Sequence, residues 1–294
     1  MTLVSKYTKT FDSKAYCGNN KLNMIDEFYF LDQGNSRITA ASVGISRRRW
    51  EFANFQEIET NSYIEKMSKN RFDILPIDND KNSLIKEYFK TNTLNDFTIV
   101  NRHSIHFYDT IPLDTDIQTV IDKFHSESRI FYFLTQQNII KGLITIGNLN
   151  CKQVQIFIFS KICDLERLLG EFINSKLNST EIRKWIKGKM NPDNSDDKYY
   201  KILSAYDNLV NLGLENKITE HFFFVDFFNL IREKELCKDL GYSKTKWDNF
   251  NSINQIRNRI AHPIKSLLDS KNDVNKLSER LRKIDKLLFK LKNE

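Results

Sequence analysis

The segment Arg257-Asn258-Arg259-Ile260-Ala261-His262-Pro263 compresses four polar or charged residues into six positions. Arg257 and Arg259 carry permanent charge on forked donors that match phosphate oxygens. His262 is of the one residue type that titrates near neutrality, so it can take or give a proton. Asn258 offers both an amide donor and a carbonyl acceptor. These types suit proton transfer at a phosphate ester, with cations to offset the negative charge that grows on it. In helical register Asn258 and His262 share a face, whereas Arg257 and His262 lie about 140° apart. Pro263 disfavours helical geometry at His262 and sets that ring at a helix end. The plainer alternative makes the two arginines surface cations favoured at a helix C-terminus, with His262 a cap.

Other chemistry is poorly signalled. His103, His106, His125 and His221 have no acidic or cysteine partner at ligand spacing and read as structural or exposed. Cys17, Cys151, Cys163 and Cys237 form no Cys-x-x-Cys pair, which argues against a zinc knuckle or redox motif and for a reducing, intracellular setting. No phosphate-binding Gly-rich loop or nucleophile elbow occurs. The cluster Ser46-Arg47-Arg48-Arg49-Trp50 is a phosphate contact or, more commonly for such a run, a solvated face. Forty-five basic against 38 acidic residues gives +7, a surplus that suits nucleic acid without requiring it.

The elements that must position these groups follow from pattern. A chain of 294 residues suggests two domains. Its 22 Phe argue against disorder, and 9 Gly and 4 Pro argue for long regular elements. No apolar run follows the first residues, as a signal peptide requires, and Ile156–Phe159 is too short to span a bilayer. A soluble, cytoplasmic protein with no membrane partner is expected. Residues 1–39 read as an extension, with Phe28–Leu31 a strand and 38–45 another. Residues 40–150 hold an ordered pair of units. Helix 62–70, strand 71–77, a turn and Leu84-Ile85 come first, then helix 116–126, strand 129–134, turn 136–138 and strand 139–145. From 151 to 294 the pattern is helical, with long helices expected over 154–177, 199–212, 218–240, 247–261 and 273–292.

Two resemblances attach to these residues. Asn70–Ile77 and Gly142-Leu-Ile-Thr145-Ile-Gly-Asn148 resemble strand motifs of cystathionine-β-synthase-type (CBS) modules, whose paired copies bind adenine nucleotides. That likeness implies a regulatory adenine nucleotide at Thr145 and Asn148, with Asn148 where the family has Asp; a dimerisation scaffold without ligand is the alternative. Arg257-x4-His262 with its following polar Asn258, and Leu165–Leu169 in an opening helix, resemble the HEPN domains (higher eukaryotes and prokaryotes nucleotide-binding). That likeness implies a metal-independent endoribonuclease working through 2′-hydroxyl attack to leave 2′,3′-cyclic phosphate and 5′-hydroxyl ends, with Arg257, Asn258 and His262 catalytic and Arg259 a secondary RNA contact. It also implies single-stranded RNA as substrate, no cofactor for catalysis, a homodimer that joins two motifs, and a bacterial stress or antiviral role. A catalytically inactive regulatory or partner-binding protein is the alternative. The fold class expected is thus an α+β CBS-type tandem repeat followed by an all-α HEPN helical bundle.

Overall fold

The computed structural model describes residues 38–78, 84–191, 193–194, 196–214, 217–262, 266–270 and 272–294. The expected strand Phe28–Leu31, Cys17, Pro263 and most of the turn after Asp78 lie outside them. The chain divides into two compact units, one of residues up to Phe157 with Pro263–Ser278, the other Ile158–His262 with Glu279–Glu294.

In the first unit, α1 (Ala40–Val43) precedes β1 (Ile45–Ser46), so the strand expected over 38–45 gives way to a short helix. Helices α2 (Phe55–Glu59) and α3 (Ser62–Asn70) follow, the former capped by Asn54, whose side chain accepts the Glu57 amide. Next come β2 (Ile74–Pro76), β3 (Glu87–Thr93), β4 (Asp96–Ser104), β5 (Thr110–Pro112), α4 (Ile117–Ser126), β6 (Phe131–Gln136) and β7 (Ile139–Thr145). One sheet has the order β1-β7-β6-β5, with β5 parallel to β6 and the other pairs antiparallel; the other is β2-β3-β4, all antiparallel. Gln137 and Asn138 both take positive φ, 50° and 63°, as the two-residue turn between twisted antiparallel strands requires. Trp50, Ile74, Ile85, Tyr88, Phe131, Phe133, Ile140 and Leu143 pack as one core cluster. Gly44 sits so tightly that a Cβ there would lie 2.6 Å from Leu134 Cδ1 and 2.9 Å from the Leu143 carbonyl oxygen.

In the second unit the elements are α5 (Lys152–Lys176, its residues from Ile158 on), α6 (Ser179–Lys187), α7 (Lys198–Asn211), α8 (Phe224–Glu233), α9 (Lys244–Asp248), α10 (Ser252–Ile260) and the later turns of α11 (Asp273–Lys292). The stripe Ile158, Ile162, Leu165, Leu169, Phe172 and Ile173 of α5 is buried, as its spacing requires. Asp226, fully buried, accepts from Lys198 Nζ at 2.5 Å, Tyr199 Oη at 3.3 Å and the Phe223 amide at 3.1 Å. Trp247, also fully buried, donates from Nε1 to the Phe228 carbonyl at 3.0 Å.

The expected fold class does not form. Among the described residues the chain is mixed α/β with two small sheets, and no clear all-α HEPN bundle follows a CBS tandem. The two sheets are unlike in strand number and in pairing direction, so they are not two copies of one unit. The hairpin of β3 and β4 was hidden by its composition: β4 is mostly exposed, so its polar residues break the apolar alternation that marks a strand. In the helical stretch, 218–240 is three pieces rather than one. A 3₁₀ turn at Ile218–His221, α8, and a second 3₁₀ turn at Leu236–Lys238 after Glu235 in the left-handed region take its place. The helix expected over 247–261 is divided as well, by the 3₁₀ turn Asn249–Asn251. Among the described residues no helix is long and apolar enough to cross a membrane.

Candidate functional site

Helix α10 exists because Ile253, Ile256 and Ile260 recur at helical spacing and are all buried. That burial leaves the polar side of the helix to the residues between and beyond them. Arg257 and Arg259 are half-buried, and Asn258 and His262 are exposed. The helix ends at Ile260. Ala261 caps it, its amide donating to the Arg257 carbonyl at 3.0 Å, and the His262 amide reaches the Arg259 carbonyl at 3.3 Å. His262 therefore lies past the last helical residue. A separation of about 140° from Arg257, which assumes a helix continued through His262, is not imposed.

Nothing in the sequence pairs Arg257 with a particular carboxylate. The structure supplies one from α5: Glu166 Oε1 lies 3.9 Å from Arg257 Nε. At that distance the contact is coulombic rather than a hydrogen bond. No N–H of the Arg257 guanidinium is hydrogen-bonded to another described residue, whereas Arg47, Arg102, Arg129 and Arg183 each commit donors to a carboxylate. Burial pushes the Glu166 carboxyl above its usual range, and the Arg257 charge draws it part of the way back. One turn earlier on the same helix stands the exposed thiol of Cys163, raised by burial and then by the Glu166 and Asp164 charges. In sequence Glu166 belongs only to the opening-helix stretch Leu165–Leu169, with no site role. Its signal as a site residue was a carboxylate set beside the buried Leu165 and Leu168.

Thr145 and Asn148 are brought together, but largely to serve each other. Thr145 ends β7, and Asn148 lies buried in the 3₁₀ turn Ile146–Asn150. The Asn148 Oδ1 accepts from the Thr145 amide at 2.8 Å and hydroxyl at 2.9 Å, which closes a cap. Thr145 and Gly147 also line a cleft of the first unit, together with Arg71, Asp73, Ile74 and Ile130. Asp73 is raised by burial and holds Thr91 Oγ1 at 3.0 Å and the Asn95 amide at 2.7 Å. Arg71 and Asp73 have no site signal in the sequence, because only folding puts them opposite Thr145. Among the described residues no three His, Cys, Asp or Glu side chains stand together as a metal site.

No family model matches the chain, and no solved structure matches it. Among curated proteins, the protein Ycf2 of Physcomitrium patens is 23% identical over an alignment of 308 residues that covers 92% of this chain. The chain spans 13% of the length of that relative.

Proposed function

We propose that the protein is a metal-independent endoribonuclease that cuts single-stranded RNA at the Arg257-Asn258-His262 site. The observation that supports it is the accessible Arg257 guanidinium, uncommitted in hydrogen bonds to other described residues, with the exposed Asn258 next to it on α10 and the exposed His262 just past the helix end. Arg257 clamps the scissile phosphate and offsets the charge of the phosphorane. Asn258 orients a phosphate oxygen, and Arg259 is a secondary RNA contact. His262 removes the 2′-hydroxyl proton as the new P–O bond forms. The P–O5′ bond then breaks, and the leaving 5′-oxygen takes a proton from an imidazolium. Because one reaction needs both a base and an acid, two copies related by a two-fold axis serve it best, each giving one His262. The short HEPN-like motif favours the same chemistry and the same dimer, in a cytoplasmic stress or antiviral role.

The test is incubation of the full chain with end-labelled single-stranded RNA in EDTA. Cleavage to 2′,3′-cyclic phosphate ends, lost in His262→Ala at unchanged helicity, is expected. Intact RNA would leave the catalytically inactive, partner-binding reading. The cleft beside Thr145 is proposed in addition as the seat of a regulatory adenine nucleotide, with the exposed Arg71 available to its phosphates. AMP or ATP should then raise the melting temperature by mass action, and Arg71→Ala should remove that rise. No shift with either nucleotide would refute it.

A further inference from the structure

An arginine that must meet a phosphate faces two opposed requirements. Its side chain has about 2 kcal/mol of rotamer entropy to lose, which favours a partner that holds it. A partner that hydrogen-bonds it takes the donors the phosphate needs. The bidentate pairs of this protein satisfy only the first requirement: Arg102 commits Nε and a terminal nitrogen to Glu87, and Arg47 does so to Asp78. Arg257 meets both. Glu166 attracts it from 3.9 Å, within ion-pair reach and outside that of a hydrogen bond.

We propose that Glu166 is a positioning residue for Arg257, holding the guanidinium over the exposed face of α10 while leaving its donors open to a phosphate. This rests on the ribonuclease reading for its purpose, though not for its geometry. Glu166 suits the role because its backbone is fixed in α5, whose neighbouring residues Leu165 and Leu168 are buried, while its half-buried side chain reaches Arg257. That half-burial strengthens its field at Arg257 relative to a carboxylate in open water. Ala in its place removes the hold. Gln keeps the shape and removes the charge, which separates packing from electrostatics.

The experiment compares the wild-type chain with Glu166→Gln and Glu166→Ala by two readouts. The first is the ¹⁵Nε relaxation of Arg257, its signal assigned by its loss in Arg257→Lys. Nε should be more mobile in both Glu166 variants, with melting temperatures unchanged in Glu166→Gln. The second is RNA cleavage in EDTA, where Glu166→Gln should lower kcat by about two- to five-fold, the range an ion pair at this exposure supports. An Arg257 Nε equally ordered in wild type and Glu166→Gln would overturn the proposal, as would unchanged kcat in that variant of an active enzyme. If the wild-type chain cuts no RNA, the ribonuclease reading fails, and the relaxation measurement still decides whether Glu166 holds Arg257.

Discussion

Replacing Arg257 by Ala should abolish cleavage and leave the fold almost untouched, because the two losses differ in size. The structural role of Arg257 is its contact with Glu166, 3.9 Å long with the two side chains 38% and 33% exposed. In a water-like dielectric that contact is worth about 1 kcal/mol, and measured pairs of this kind contribute roughly 0.2–1 kcal/mol. No hydrogen bond to another described residue is lost with it, and the stem is half-exposed. Removing a group that stabilises charge in a transition state costs ~10²–10³ in rate, about 3–4 kcal/mol. Arg257→Lys should fall between, since it keeps the charge and loses the two-pronged geometry. Urea denaturation followed by circular dichroism measures the first effect, and initial rates on a fluorescent single-stranded RNA in EDTA measure the second. A stability loss above about 2 kcal/mol would mark Arg257 as structural, and undiminished cleavage would remove it from the site.

Asp226→Ala should destabilise by about 3–5 kcal/mol in denaturant unfolding, because the buried carboxylate is the shared acceptor for Lys198, Tyr199 and the Phe223 amide. A change near zero would show those donors finding other partners. Gly44→Ala should cost roughly 1–3 kcal/mol, since its methyl would press on Leu134 and the Leu143 carbonyl; an unchanged urea midpoint would show that the two strands give way freely. Burial, and after it the Asp109 carboxylate, raise Tyr88 from 10.0 to about 12. The unfolded chain then loses that proton first, so the stability it contributes is complete below pH 10 and declines as pH rises towards about 12. The difference in stability between wild type and Tyr88→Phe, followed from pH 9 upward, should show this decline, and a flat difference would refute it.

Local chemistry was legible without a structure. The caps and turns follow from single residues and their neighbours: Asp116 accepts the Thr119 amide at the start of α4, and Gln137 and Asn138 turn the chain between β6 and β7. The stripe of α5 and the stretch of α10 that carries Arg257 and Asn258 were equally plain, because burial of one helix face imposes a period of 3.6 on the sequence. What failed was decided by pairing across the chain. The strand order of two unlike sheets depends on which backbone donors meet which acceptors, and the exposed β4 carries little apolar alternation to announce itself. The breaks at Glu235 and at Asn249–Asn251 leave the apolar period almost intact, so a long helix and a broken one look alike in sequence. The candidate site divides the same way. The residue types at 257–262 and their spacing are read from sequence alone, while Glu166 reaches Arg257, and Arg71 and Asp73 come to the cleft beside Thr145, only through tertiary packing of segments far apart in the chain.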